Sequence, residues 1–313
     1  MEYRARVLIP GVDLPDTADF YRDGPKGHEP LNKTALREAE RKYKSKSSDL
    51  VCHQPILAGH ISLLYDSSTY HSPDYLIPGK DGFHYYPNLI PFELQISLIR
   101  EILYLYANPT HESNLDPFYH LPPLGIFKDL NELIQPKDPT KPPVLAKDLW
   151  PKLRWITLGY RYNWSSKTYN FAQQPPPVPS TVQNLFNAIA SAFGYPHYQA
   201  QAGIINFYQP NDSLTSHVDR SEPNMEAPLI SLSLGCQGIF LLGGVGRDDP
   251  VHALKLSSGD VNILSGPSRR FFHGIPRIIP QTFDASGINL PPQVAHFLSH
   301  TRINLNIRQV HFK

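Results

Sequence analysis

The run Arg302-Ile-Asn-Leu-Asn-Ile-Arg308 alternates polar and aliphatic residues without a break. Successive side chains of a β-strand point to opposite faces. A strand here aims Arg302, Asn304, Asn306 and Arg308 at one side and packs Ile303, Leu305 and Ile307 on the other. Two readings fit. One is an ordinary edge strand with solvated arginines. The other is a clamp for a dicarboxylate, because a guanidinium pairs a carboxylate through two parallel hydrogen bonds and a buried anion must be compensated. Asn206-Phe-Tyr208 repeats the polar-x-polar pattern and offers an amide and a phenol to the same anion.

Strand-like character extends over the C-terminal half. β-rich runs occur at Trp155 to Asn163, Ala202 to Tyr208, Leu229 to Leu234, Ile239 to Leu242, Ala253 to Leu256, Val261 to Leu264, Arg270 to His273 and Arg302 to Val310. Clusters of Gly, Pro, Asn or Asp separate most of them. Many short strands with close turns imply a sandwich, jelly roll or barrel. The 32 prolines in 313 residues, roughly double the usual share, also favour strands and loops over long helices.

Three segments have helical patterning. Asn32 to Ser45 interleaves Lys and Arg with Glu38 and Glu40, and reads as a solvated helix or as a nucleic-acid-facing basic arm. Pro91 to Tyr106 carries an apolar stripe through Leu94, Leu98, Ile102 and Tyr106. Ser180 to Phe193 starts on a candidate N-cap, Ser180, and is followed by Gly194. The Pro-rich segment Gln135 to Pro143 marks a boundary between an N-terminal extension, residues 1–145, with helices packed on the core, and a C-terminal domain, residues 146–313. Pro276 to Thr301, rich in turn residues, is a lid or an insertion.

Bulk properties narrow the class. A hydrophobic share of 41% with 18% charged residues describes a globular chain. The net charge of +1 supplies no global attraction for nucleic acid, so any such contact rests on local basic patches. Cys52 and Cys236 are too few for a disulfide framework and point to a reducing, intracellular compartment: nucleus, cytoplasm or mitochondrion. The charged start has no apolar leader, and no run approaches a membrane span. A monomer without membrane contact is expected.

His217-Val-Asp219 and His273 supply the reactive centre. Ligands two apart on a strand point the same way, so His217 and Asp219 can share one ion. Two imidazoles and one carboxylate leave positions open on a metal, the arrangement of non-haem Fe(II) oxygenases. With 14 histidines in the chain, a His-x-Asp pair alone is weak, and a histidine in an apolar strand is more often structural. The pair gains weight from His273 and from the Arg302 to Arg308 strand.

These motifs, together with Pro228-Leu-Ile-Ser-Leu-Ser-Leu-Gly235, Ile239-Phe-Leu-Leu-Gly-Gly244 and Ser268-Arg-Arg-Phe-Phe-His273-Gly, resemble the AlkB family of Fe(II)- and 2-oxoglutarate-dependent dioxygenases. The likeness runs from about Leu153 to Val310. Leu158-Gly-Tyr-Arg-Tyr-Asn-Trp-Ser-Ser-Lys167 and His217-Val-Asp-Arg-Ser-Glu222 are closest to the eukaryotic AlkB homologue 1 branch. The resemblance implies an α+β, mainly β fold: a double-stranded β-helix (jelly roll) core with flanking helices and an N-terminal helical extension. It makes His217, Asp219 and His273 the iron ligands. Arg302, with Asn304 and Tyr208 beside it, would grip the distal carboxylate of 2-oxoglutarate, and Arg308 and Asn206 would meet the carboxylate that chelates iron. The implied reaction consumes O2 and 2-oxoglutarate, yields succinate and CO2, and removes a methyl group from a nucleic-acid base as formaldehyde. Two departures stand out. Asn306 replaces the family's usual Thr, a change expected to be tolerated, and Ser221 replaces an acidic base contact of the bacterial enzyme.

For substrate, Trp155, Tyr160, Tyr162 and Trp164 with Arg154, Arg161 and Lys167 have the composition for base stacking and phosphate contact, against the plain reading of hairpin packing. Trp155 and Tyr160 are the stackers the resemblance favours. Ser221 and Glu222 join the expected substrate contacts, and Arg220, Arg247, Arg269 and Arg270 are phosphate candidates or ordinary surface charge. Two rivals stay open: a 2-oxoglutarate hydroxylase of a protein or small molecule, since fold and iron site are shared across chemistries, and a non-catalytic binding module.

Overall fold

The computed structural model describes residues 33–45, 52–163, 166, 168–172, 174–285 and 288–312. Its strands are β1 (Ile56–Tyr65), β2 (Ser68–Leu76), β3 (Phe83–Tyr86), β4 (Leu133–Ile134), β5 (Val144–Leu145), β6 (Trp155–Gly159), β7 (Tyr162–Asn163), β8 (Thr168–Tyr169), β9 (Ala202–Tyr208), β10 (Leu214–His217), β11 (Leu229–Gly235), β12 (Gln237–Leu242), β13 (His252–Leu256), β14 (Val261–Leu264), β15 (His273–Ile279) and β16 (Arg302–Arg308). Helices α1 (Ala35–Lys44), α2 (Phe92–Glu101), α3 (Ala146–Leu149), α4 (Ser180–Ala192) and α5 (Pro292–Leu298) flank them. No described helix is long and apolar enough to cross a membrane.

An eight-stranded antiparallel sheet, order β1-β2-β3-β14-β11-β16-β9-β6, faces a four-stranded one, order β10-β15-β12-β13. This two-sheet, mainly β architecture lies within the sandwich, jelly-roll or barrel range of the strand pattern and is the jelly roll that the resemblance implies. The alternating run at 302–308 lies in the middle of the large sheet, between β11 and β9, so the solvated edge-strand reading is overturned. Its aliphatic face joins a row of neighbours in register: Ile156, Ile205, Leu305 and Leu232, all fully buried. Burying each such side chain stabilises by about 1.5–3 kcal/mol, which holds β16 in register. On the polar face Asn306 is partly exposed, but both arginines are buried, Arg302 at 0% and Arg308 at 4% exposure.

Several expectations need adjusting. Ser180 opens α4 without capping it; Pro179 is the N-cap residue, and Gly194 follows at φ +95°. The apolar stripe from residue 91 is α2 continuing as a π-helix over Ile102–Tyr106, with Ala107 N–H bonded to Ile102 O. Arg270 ends a 3-10 turn, and the strand begins at His273. The Gln135 to Pro143 segment is the loop of the β4–β5 hairpin, tied to residues 118–120 by Lys137 N–H to Phe118 O and His120 N–H to Gln135 O. The turn-rich stretch from Pro276 carries the end of β15 and then α5, whose Phe297 packs on Phe127 and Trp150.

Residues 1–145 hold more than helices. β1, β2 and β3 extend the large sheet, and β3 pairs with β14 from Phe83–Leu264 to Tyr86–Val261. These strands escaped the sequence reading because β1 and β2 mix apolar residues with His, Ser and Asp on partly exposed faces. Their tight turn, Asp66-Ser67, takes positive φ at both residues (48° and 61°) without the Asn-Gly signature such hairpins usually carry.

Candidate metal centre

β10 and β15 run antiparallel and set His217 directly opposite His273, with ring centroids 4.7 Å apart. Asp219 follows two residues after His217, and one ligand atom from each of the three lies within 4.8 Å of the others. Backbone carbonyls orient both rings: Thr215 O accepts from His217 Nδ1 at 3.0 Å and Phe271 O from His273 Nδ1 at 3.1 Å. A carbonyl only accepts, so each Nδ1 carries the proton and each Nε2 presents its lone pair. Both Nε2 atoms stand 3.7 Å from a different oxygen of Asp219.

Protonation states suit a cation. Burial, then the neighbouring His273, push the His217 pKa below the ordinary imidazole value. Burial opposes ionisation of Asp219, but Arg308, backed by His273 and His217, holds its carboxyl well below the usual range. A neutral imidazole and an ionised carboxylate are the forms that ligate a metal.

The β16 clamp rises beside this triad. Arg302 lies fully buried, donating from Nη2 to Ser233 Oγ at 2.8 Å, while Nε and Nη1 have no partner. Its stem passes over Gly238 of the small sheet, where a Cβ would fall 2.8 Å from Arg302 Cδ. Tyr208 pairs with Arg302 across the ladder and Asn206 with Asn304. The Asn304 amide donates to Ser231 Oγ (2.7 Å) and Leu232 O (3.1 Å), so its nitrogen is committed to β11. Arg308 Nη2 reaches Asp219 Oδ2 at 2.9 Å, and its Nη1 has no partner. Buried guanidinium donors without acceptors demand an anion. The residues present therefore fit an iron ion in the triad and a dicarboxylate between Arg302 and Arg308.

Two sequence expectations are corrected. Glu222, expected to contact substrate, is 5% exposed and sealed in an ion network. Arg308 Nε lies 2.9 Å from its Oε1, Tyr169 Oη donates to Oε1 at 3.0 Å, and Arg269 Nη2 donates to Oε2 at 3.3 Å. Arg269, read as a phosphate candidate or ordinary surface charge, is 3% exposed and also donates to the Asp219 carbonyl at 3.3 Å. Glu222 instead pairs with Arg308, which holds the Asp219 carboxylate, and Arg269 holds the Asp219 backbone carbonyl. Tyr169 and Arg269 could have been placed here by no local pattern, since their partners lie 53 and 47 residues away.

The remaining expected contacts divide. Tyr162 Oη and Ser221 Oγ hydrogen-bond at 3.0 Å, placing a phenol two residues from Asp219. Tyr160 meets Phe171 and His311 edge-on at 5.3 and 5.0 Å. Trp155 is half-buried and pairs with Asn206, which puts it on the polar face of the large sheet. Arg247 is half-buried with its guanidinium 5.2 Å from the Phe272 ring centre. Arg220 and Arg270 are exposed. Trp164 and Lys167 lie outside the described residues. A cavity of about 550 Å³, bordered by Trp150, Gln209, His296 and His300, is lined by none of the triad or clamp residues.

Residues 125–308 match the family model of the 2OG-Fe(II) oxygenase superfamily. The chain is 36% identical over 233 residues to "tRNA demethylase abh1" of Schizosaccharomyces pombe, covering 71% of this chain and 77% of that protein. It is 34% identical over 262 residues to "Nucleic acid dioxygenase ALKBH1" of Homo sapiens, covering 75% and 66% of the two chains. Against "DNA N(6)-methyladenine demethylase ALKBH1A" of Arabidopsis thaliana the identity is 32% over 275 residues, covering 76% and 78%. The triad, the buried clamp and these relatives agree: the chain belongs to the 2OG-Fe(II) oxygenase superfamily, as an AlkB-family enzyme of the homologue 1 type that uses Fe(II) and 2-oxoglutarate.

Proposed function

We propose that this protein oxidatively demethylates a nucleic-acid base, in tRNA or DNA. The observation that carries the reading is the His217–Asp219–His273 triad set beside the buried guanidinium of Arg302, whose Nε and Nη1 have no acceptor. With iron and 2-oxoglutarate bound, the centre couples O2 and oxidative decarboxylation, giving succinate and CO2, to oxidation of a methyl group. An N-hydroxymethyl product then collapses to formaldehyde and the bare nitrogen.

The chain's own residues do the rest. His217 and His273 present Nε2 and Asp219 a carboxylate to iron, each ring held by its carbonyl. Arg302 receives the distal carboxylate of the co-substrate, and the free Nη1 of Arg308 the proximal one. Glu222 and Arg269 keep Arg308 and Asp219 in place. Tyr162, tethered to Ser221, and Trp155 and Tyr160 supply aromatic surface to a base, and Arg220, Arg247 and Arg270 supply charge to phosphate. The relatives named for tRNA and DNA demethylation support this substrate class. Both cysteines are free, in keeping with a reducing, intracellular compartment.

Mass spectrometry of methylated oligonucleotides and methylated peptides incubated with the purified protein tests the reading. Loss of a methyl mass from oligonucleotide, absent in His217→Ala, is the expected result. Turnover of peptides alone would overturn it in favour of a protein hydroxylase.

A further inference from the structure

Strand β10, which carries His217, is the edge of the small sheet and, among the described residues, pairs only with β15. Its register is irregular: Leu214 opposes Ile275 and His217 opposes His273, so Thr215 and Ser216 together oppose Gly274. This is a β-bulge placed immediately before the metal ligand. Gly274 makes it possible, since a Cβ there would sit 2.9 Å from Ser216 N and Cα. A bulge releases backbone groups from the ladder, and a buried N–H so released must find another acceptor.

The acceptor comes from the far end of the chain. Glu40 Oε1, on α1, takes the Ser216 N–H at 2.7 Å across 176 residues of sequence. Its second oxygen is held by Arg37 Nη1 at 2.8 Å, and the Glu40 side chain is only 14% exposed. Helix α1 is docked rather than solvated. Tyr43 is buried with Ile239, Leu241 and Ala253 of the small sheet, and Leu36 N–H donates to Arg247 O at 3.2 Å. Lys44 Nζ reaches Ser213 Oγ, just before β10, at 3.5 Å, so the helix touches the strand at a second point. The bulge also contains the Thr215 carbonyl that orients the His217 ring. Whatever fixes Ser216 therefore fixes both the backbone of His217 and the acceptor that aims its imidazole.

We propose that Glu40 is a positioning residue for the metal centre: braced by Arg37, its carboxylate closes the β10 bulge and so sets the position of His217. The role rests on His217 being a metal ligand. It gives the charged N-terminal helix a task that neither a solvated surface helix nor a nucleic-acid arm would have.

The test is Co(II) titration of the full chain without turnover, read by visible absorption and calorimetry, with far-UV circular dichroism as the control for folding. Glu40→Ala is expected to weaken Co(II) binding on the order of 10–100-fold, as loss of an outer partner of a ligand does, and to alter the absorption bands. Glu40→Gln keeps an acceptor oxygen and is expected to recover most of the affinity. Wild-type Co(II) affinity and spectrum in Glu40→Ala, with or without lower thermal stability, would overturn the proposal, because a merely structural helix contact does not reach the metal. Equally weak binding in Glu40→Gln, or failure of Gln to rescue folding if the Ala variant does not fold, would also overturn it. His217→Ala separates the two levels: if that variant keeps full Co(II) affinity, the ligand assignment fails rather than the role of Glu40.

Discussion

Replacing Arg302 by Met should leave the ligand-free protein at least as stable as wild type while abolishing its response to 2-oxoglutarate. Arg302 is 0% exposed, and only its Nη2 has a hydrogen-bond acceptor. Each buried donor left unsatisfied costs about 1–3 kcal/mol, so Nε and Nη1 together leave the ligand-free protein roughly 2–6 kcal/mol less stable than a paired guanidinium would. Burial itself works against the charge and lowers the Arg302 pKa, with Tyr208 and Asp260 opposing. Asp260 does not depend on Arg302 for partners, since it accepts from Ser257 N–H, Asn88 N–H and Tyr85 Oη. Met is apolar and of similar length. Exchanging a buried charge for an apolar side chain of similar volume is neutral or stabilising by about 1–4 kcal/mol. Urea unfolding followed by tryptophan fluorescence, with Mn(II) and with or without 2-oxoglutarate, measures both effects. At 100 times its Kd the co-substrate should add about 2.7 kcal/mol to the wild type and nothing to the variant. A variant destabilised by several kcal/mol that still responds to 2-oxoglutarate would refute the clamp and make Arg302 a structural ion.

Glu222→Ala should destabilise by about 3–5 kcal/mol, because it strips the buried Arg308 and Arg269 of a shared partner; a loss under about 1 kcal/mol in chemical denaturation would contradict a sealed network. Gly238→Ala sets a methyl against the stem of Arg302 and should raise KM for 2-oxoglutarate with less effect on kcat, seen in steady-state succinate release. Chelators should lower the melting temperature, and Mn(II) or Co(II) should restore it in proportion to ln(1 + [metal]/Kd), an effect missing in Asp219→Ala. His111 gives a pH signature away from the centre. Burial, then Arg161, lower its pKa, so its contribution is present above the unfolded value of about 6.5 and is lost as pH falls below it. His111→Gln should flatten stability between pH 7 and 5, measured by urea midpoints.

The parts legible in the sequence were those whose signal is local. Alternation in 302–308 and in 202–208 declared strands, and the i, i+3/i+4 stripes declared α2 and α4, because strand and helix periodicities act over a few residues. The His217-x-Asp219 spacing suggested two groups within reach of one ion, and they do lie together with His273, although β10 ends at His217 and Asp219 follows it. β1 and β2 carried no such signal, with partly exposed faces and a glycine-free turn at Asp66-Ser67. Glu222 was expected at the substrate and Glu40 on a solvated helix or basic arm, and neither expectation reveals the partner, 47 or 176 residues away, that holds each side chain.

Residue order set which chemical groups could gather: two imidazoles, a carboxylate, and a strand with arginines at both ends of its polar face. What each cation does depends on how the chain packs. Arg302, Arg308 and Arg269 are the same residue type, and all three are buried. Arg269 is satisfied by Glu222 and backbone carbonyls. Arg308 is shared between Asp219 and Glu222 with one nitrogen left over. Arg302 meets a single serine and waits with two donors open. A guanidinium's role follows from the acceptors that face it in low dielectric, and the pairing of strands across the two sheets chooses those acceptors.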